Sequence, residues 1–574
     1  MKRILFFALT LSIVLAGCKK DSITEVSPSE TKTVEDGSDE YSSETFSKSV
    51  SVVFSTTENA VVSDTTSDFL VTVEGNCVTI VYSGSEQVEY NLSGTSDNGF
   101  FKLYSAKKQA IQLHNLSLVN TKGAAINVQG TMDSPNSGKR TFVVVNGTNT
   151  LADGTSYTQT PSGEDEKGVV FSEGKLVFSG DGRLTVTANG KSGIASDEYV
   201  RFMANPSVSI TSTAGHGIKG KDSVMVDNAT LDIAVSANMK KGITSDGSVR
   251  IDGGTTTITV SGGAAYDEDD KSYSGTAGIK VGGQFEINGG SLSIINSGSG
   301  GKGISGDAKG YFNGGIVSVV TTGSNYTTGD VSAKGIKFDG DLVFAGSEVL
   351  VNCKSNEGIE SKGTITISDG IVYSYSEADD AMNSASDFTI TGGFVCGYAT
   401  SNDGLDANGD FYIKGGVIYA ICSRSPEVAI DANTEERHTL YVQGGTIVAV
   451  GPLENGASLT QSCYQASSWN SSTWYGLTVG STTYAFQTPY YDKSGQSPYG
   501  SGIVVSGSST PTLMSEVTVS GGTSYFDGIF VANCSVSGGS SVSLSAYSGG
   551  SSGGGPGGNG GGPGGNSGGP GNRF

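Results

Sequence analysis

Along the middle of the chain, short runs of alternating apolar and polar residues recur, each preceded by a turn. Asp252-Gly253-Gly254 leads into Thr257-Ile258-Thr259-Val260, and Asn288-Gly289-Gly290 into Leu292-Ser293-Ile294. Lys414-Gly415-Gly416 and Gln443-Gly444-Gly445 repeat the phrase. Alternation of period two predicts strands that turn one face inward. A second phrase sets the period: Gly193-Ile194-Ala195-Ser196, Gly217-Ile218-Lys219-Gly220, Gly242-Ile243-Thr244-Ser245, Gly303-Ile304-Ser305-Gly306 and Gly358-Ile359-Glu360-Ser361. From Gly168-Val169 through Ala381-Met382 to Ala429-Ile430 the steps are 25, 24, 25, 36, 25, 32, 23, 23, 23 and 25 residues. The two long steps mark insertions, at residues 266–276 and 323–331.

A period near 24 with three alternating segments predicts three strands per turn of a solenoid, with equivalent positions stacked about 4.8 Å apart. Leucine-rich repeats need a leucine frame that is absent, and a propeller blade needs about 40 residues. The expected fold is all-β: a right-handed parallel β-helix over residues 166–452, with residues 49–165 supplying an N-terminal β region and first turns. Glycines are expected to give the positive φ that sharp corners require. Residues 453–548 carry strand signals and the aromatics Trp469, Trp474, Tyr475, Tyr490 and Tyr491. They read as a β cap over the last turn or as an accessory module stacking on sugars. Of the 26 residues from 549 to 574, 15 are Gly and three are Pro, a flexible tail without a core.

Composition removes several classes. Gly is 86 of 574 residues, but Pro is only 12, which excludes collagen. Lys plus Arg is 35 against 57 for Asp plus Glu, a net charge of −22, so a nucleic-acid partner is excluded. Lys2 and Arg3 precede an apolar run at residues 4–16 that ends in Leu15-Ala16-Gly17-Cys18. This is a secretory leader (residues 1–17) with a lipobox, so Cys18 is the expected lipidation site and a membrane the expected partner. Losing the leader takes the charge to −24. Residues 18–48 are polar and read as a tether, and Lys19 after the Cys points to the outer membrane. Six further cysteines have irregular spacing and no CxxC, so isolated thiols are expected.

Counting the Gly or Ala before each inward Ile as zero, positions −1 and +2 face outward. They form a ridge that is basic in its middle turns, with Lys280, Lys302, Lys334 and Lys337, and acidic in its last four. Carboxylates stacked 4.8 Å apart repel, and a hard divalent cation is the ordinary remedy. The candidate ligands for calcium are Glu357, Glu360, Asp379, Asp380, Asn402, Asp403, Asp406 and Asp431, and the lysines are candidates for holding an anionic glycan. A solvated acidic edge is the plain alternative. A second acidic run, Asp267-Glu268-Asp269-Asp270, lies on an insertion and reads equally as a solvated loop.

Gly163-Glu164-Asp165-Glu166-Lys167-Gly168, then Phe171-Ser172-Glu173-Gly174-Lys175-Leu176, together with the Gly-Ile-x-Ser and Gly-Gly-x-Ile-x-Val phrases, resemble a family of secreted carbohydrate-binding β-helix proteins. A clostridial cellulose- and pectate-binding protein is of this kind. The resemblance spans residues 51–450 and implies a pectate-lyase-like fold, calcium on the helix and polysaccharide binding without cleavage. A polysaccharide lyase or hydrolase, or a surface adhesin, are the alternatives. Gly215-His216-Gly217 and Asp379-Asp380 are similar to polygalacturonase elements, but six turns separate them, roughly 29 Å at the ladder spacing. A hydrolase pair must lie within about 10 Å. Arg424, near the acidic turns, is the candidate base of a lyase.

Overall fold

The computed structural model describes residues 39–158 and 160–549. The leader, Cys18, most of the tether and the tail from residue 550 lie outside the described residues. Of the first unit, Met1–Glu44, the described part holds one 3-10 turn at Tyr41–Ser43. The described part of the second unit, Thr45–Phe574, is β-structured, and each helical element in it is a three-residue 3-10 turn.

Its strands stack in three parallel ladders whose rungs lie one sequence repeat apart. On the first ladder Ser192–Ser196, Ile218–Gly220 and Lys241–Ser245 follow one another, with Ile194 opposite Ile218 and Ile218 opposite Ile243. Tyr199–Phe202, Ser223–Val226 and Ser248–Ile251 form the second. Ser207–Ser212, Thr230–Val235 and Thr255–Val260 form the third. The ladders begin well before residue 166. Lys48–Phe54 pairs in parallel with Val88–Ser96, which pairs with Gln109–Asn120, and Thr148–Asp153 passes directly to Arg183–Ala188. The division expected at 165/166 therefore has no counterpart in the pairing. It arose because the early turns lack the Gly-Ile phrase. The register of one turn also differs from the sequence expectation: Val170, not Val169, lies opposite Ile194. Val169, Val170 and Phe171 are all apolar, so alternation could not say which points inward.

The inward column of the first ladder, from Ile194 through Ile218, Ile243, Ile279, Ile304 and Ile336 to Ile359, is fully buried. Each such side chain contributes about 1.5–3 kcal/mol of burial. Aromatic rungs keep the same pitch: Phe312 stacks on Phe344 at 4.8 Å and Phe388 on Phe411 at 4.6 Å.

The recurrent glycines divide into two kinds. Those of the Gly-Gly turns, such as Gly254 and Gly416 with φ of 76° and 84°, occupy the left-handed region as expected. The glycines before the inward Ile do not. They are required by packing, because a Cβ on Gly242 would lie 2.3 Å from Ile258 Cγ2, and one on Gly303 would lie 2.1 Å from Val319 Cγ1. Along the third ladder the residue filling that space shrinks to Ser374 and then Gly397, and one rung beyond Gly358 the anchor becomes Ala381.

Reversed strands close the start of the coil and the finish of its third ladder. Phe69–Glu74 runs antiparallel to Asn76–Tyr82 at the start. At the finish Thr446–Val450 takes Ile503–Ser506 antiparallel, followed by Cys463–Ala466 and Ser545–Tyr547. Most of the remainder of residues 453–548 folds as a six-stranded antiparallel sheet, including Trp474–Val479, Thr482–Gln487 and Phe530–Ala532, with a separate two-stranded pair of Thr518–Ser520 and Ser535–Ser537. It packs on the outer face of the third ladder, where Tyr373 and Tyr419 meet Tyr475, Phe486, Phe526 and Phe530. The region thus supplies both a cap and a flank module. Trp469 and Tyr475 are buried in this packing, with Trp469 Nε1 donating to the Gly500 carbonyl at 2.8 Å, whereas Tyr490 is exposed. The six described cysteines are free thiols, five of them buried and Cys77 half-buried.

Candidate functional site

The outward positions of the first ladder form one continuous charged strip, and its two halves are handled differently. In the basic half, Lys280 pairs with Asp307 and Lys337 with Asp339. Lys302 forms no ion pair among the described residues; burial, then the charges of Lys334 and Lys337, push its ammonium down to about 8. Lys241 is pushed to about 8 in the same way, by burial, then Lys240 and Lys280, and it donates to the Met239 carbonyl at 2.6 Å. His216 is a structural residue. Its Nδ1 accepts the Lys241 backbone N–H at 3.0 Å, and burial and the neighbouring lysines hold it neutral.

Lys334 is buried at the junction of the two halves. Its Nζ lies 3.0 Å from Glu357 Oε1 and 2.5 Å from Glu360 Oε2, and Lys362 also reaches Glu360. Burial acts to lower the Lys334 ammonium, but the two carboxylates overcome it and hold it above the ordinary value. Three of the expected site residues, Lys334, Glu357 and Glu360, are therefore joined to one another.

Beyond the junction the carboxylates of the strip have no ammonium partner among the described residues. Asp379 is clamped by amides from the rungs on either side, Asn402 Nδ2 at 3.0 Å and Asn356 Nδ2 at 3.3 Å. Asp380 is buried and accepts from Asn383 Nδ2 at 2.9 Å and the Asp403 backbone N–H at 3.0 Å. Asn383 also donates to Asp406 at 3.0 Å, and Asp403 accepts from the Val428 N–H at 2.5 Å. Asp403, Asp406 and Asp431 each bring a carboxylate oxygen to within 4.8 Å of the others. Asp431 stands beside both Asp406 and Glu454, and a shared proton or a bound cation would relieve the repulsion among these oxygens.

Burial comes first, and mutual repulsion follows, in pushing these groups up: Asp380, Asp406 and Asp431 to about 7, Asp403 to about 8. Glu454 is pushed up to about 7 by burial and by Asp431. Glu454 was not among the expected ligands. It occupies +2 of a further turn, since Leu453 bridges in parallel to Ile430. The repeat count stopped short of it because Pro452 stands where the Gly or Ala belongs. The 23-residue step from Ile430 to Leu453 was the available signal.

A second acidic trio gives a useful contrast. Asp165, Glu173 and Asp197 also converge, but Lys167 Nζ stands 2.9 Å from Asp165 and 2.5 Å from Asp197. The Asp267-Glu268-Asp269-Asp270 run lies at the exposed tip of the hairpin formed by Ala265–Asp267 and Ser272–Ser274, with Lys271 on Glu268. Arg424 donates to Gln496 of the C-terminal region at 3.3 Å.

A model of a family described as carbohydrate-binding domain-containing proteins matches residues 74–261 and 234–404, more than half of the chain. The chain belongs to that family. The matched stretch includes the whole basic half of the strip and reaches into the acidic half of this carbohydrate-binding chain, through Asp380 and Asp403. A solved structure of a polysaccharide lyase-like protein from C. thermocellum, a gadolinium derivative, aligns at 19% identity over 56% of this chain and 96% of its own, with a TM-score of 0.29, too low to carry an argument. No curated protein matches the chain.

Proposed function

We propose that this protein is a lipid-anchored, non-catalytic binder of acidic polysaccharide, with the glycan lying along the outer strip of the first ladder. We take the coil to be a right-handed parallel β-helix, the hand that about 98% of parallel crossover connections adopt. The observation that carries the reading is the pairing pattern of the strip. Among the described residues Lys241 and Lys302 lack carboxylate partners while Asp380, Asp403, Asp406, Asp431 and Glu454 lack ammonium partners, on one ladder of a carbohydrate-binding family member.

The donor set suits calcium. All ligand atoms are oxygens, three carboxylates converge within 4.8 Å, and two more stand on adjacent rungs, against six to eight oxygens needed at about 2.3–2.6 Å. Bound there, calcium supplies positive charge that offsets the carboxylates and attracts a uronate. Asp403, Asp406 and Asp431 would hold it, with Asp380 and Glu454 beside them. Asn356, Asp379 and Asn402 brace the rungs below, and Lys302 and Lys241 offer ammonium groups to further uronates. Lys280 and Lys337, already paired at the rim, add contacts by exchanging partners.

Calorimetry on wild type and Asp403→Asn/Asp406→Asn against polygalacturonate, with and without chelator, tests the reading. Loss of binding in the variant and in chelator is expected; equal binding throughout would remove calcium, and no binding in wild type would remove the acidic glycan. Anchoring at Cys18 rests on Leu15-Ala16-Gly17-Cys18, and outer-membrane placement on Lys19. Cys18→Ala should leave the membrane fraction. A second reading, a lyase or hydrolase, draws support from carboxyls pushed to about 7, the range of general acids and bases. Unsaturated products or new reducing ends on pectin would establish it.

A further inference from the structure

A cleft of about 290 Å³ lies away from the charged strip, between the coil and the flank module. One wall is the outer face of the third ladder, with Glu348, Leu350, Ile371 and Tyr373; the other is the loop at residues 524–528. That loop is conformationally unusual. Phe526, Asp527 and Gly528 follow one another at φ of 56°, 55° and 87°. Glycine and, less readily, aspartate tolerate this region, but a phenylalanine there is an outlier that surrounding packing must hold in place. Ring contacts do so: Phe526 lies 6.1 Å from Tyr373 and 5.7 Å from Phe530, and Tyr525 stacks on Phe394 at 4.0 Å with an interplanar angle of 8°. The aromatic walls are thus fixed before any ligand arrives.

We propose that this cleft is a second carbohydrate site, which takes one neutral sugar ring of a glycan. The proposal rests on the carbohydrate-binding reading above and extends it to a different ligand chemistry. Tyr525, half-buried with one face on Phe394, offers its remaining surface to the C–H side of a sugar beside Leu350 and Ile371. Buried Phe526 and Tyr373 support that wall, and Glu348 and Asp527 offer carboxylates to neighbouring hydroxyls. Neither carboxylate forms an ion pair among the described residues, and no Lys or Arg lines the cleft. Two free negative charges repel a uronate, so the occupant is neutral. The volume falls at the lower end for ligand pockets, about 300 Å³, enough for a single ring.

The test is calorimetry of the full chain with cellohexaose, xylohexaose and mannohexaose as neutral probes and hexagalacturonate as the acidic one. At least one neutral probe should bind wild type. Glu348→Gln and Asp527→Asn should each weaken it about fivefold, the difference between a charge-assisted and a neutral hydrogen bond. Tyr525→Leu should remove it, with hexagalacturonate binding unchanged in all three. Asp527 is exposed, so Asp527→Asn keeps the test sound if Tyr525→Leu misfolds. No binding of any neutral probe to wild type, or wild-type affinity in both Asp527→Asn and Glu348→Gln, overturns the proposal. Failure of hexagalacturonate alone overturns the acidic-glycan reading and leaves the cleft standing.

Discussion

The turns from Lys241 to Lys334 and those from Asp380 to Glu454 share one ladder, one register and one buried apolar column. They differ in how outward charge is managed. In the first stretch most ammonium groups find a carboxylate, as Lys280 does in Asp307, Lys337 in Asp339 and Lys334 in Glu357 and Glu360. In the second, amides take that place: Asn356 and Asn402 donate to Asp379, and Asn383 donates to Asp380 and Asp406. An amide fills a carboxylate's lone pairs without cancelling its charge. Hydrogen-bond satisfaction and charge compensation are separate requirements, and the acidic turns meet only the first. The carboxylates pushed to between about 7 and 8 are the visible residue of the second.

Removing the buried ammonium that Glu357 and Glu360 share at the junction should give the largest effect. Lys334→Met leaves Glu357 buried with no ammonium and is expected to cost about 3–5 kcal/mol, read as a shift of the urea midpoint. An unchanged midpoint would mean that the boundary between the halves is not electrostatic. Next comes the acidic half. Its folded-state pKa values exceed ordinary carboxylate values, so the folded chain binds more protons than the unfolded one between about pH 4 and 8. Stability in chelator should therefore fall as pH rises through that window. Calcium at a hundred times its Kd should restore about 2.7 kcal/mol at pH 8 and almost nothing at pH 4. A melting temperature independent of pH and calcium would contradict this account.

The scaffold under the basic half can be tested directly. Gly303→Ala forces a methyl onto Val319 and should cost about 2 kcal/mol, whereas Gly303→Ala/Val319→Ala should recover part of the loss. If the double variant is simply the sum of the singles, the anchor glycine has another role. The smallest effect belongs to a single ammonium: Lys302→Gln should weaken polygalacturonate binding about fivefold, or about 1 kcal/mol. With Lys302 and Lys241 pushed down to about 8, wild-type affinity should likewise decline between pH 7 and 9. Affinity that stays level across that interval would remove these lysines from the interface.

The coil was legible because alternation and the Gly-Ile phrase are local signals that the ladders require. Where they lapse, the reading lapsed: at the early turns, at Val169-Val170-Phe171, and at Pro452-Leu453-Glu454. The ridge was legible as a set of positions but not as a set of partners. That Lys334 lies between Glu357 and Glu360, or that Asn402 and Asn356 bracket Asp379, depends on side-chain reach between turns, which the residue order does not specify. The role of the C-terminal aromatics was least accessible. Trp469 and Tyr490 look alike in sequence, and only packing makes one a core residue and the other an exposed one.

The reversed strands at the two ends bear on how many binding strips a surface can display. A parallel ladder with a bare final rung invites another copy to continue it, and fibres grow in that way. Here Phe69–Glu74 and the strands that follow Thr446–Val450 run against the direction of the turns. At these edges a newcomer cannot extend the same hydrogen-bond pattern in register. Valency is then set by the number of chains and not by end-to-end growth, and each chain presents its strip as a separate contact for a long polymer to collect.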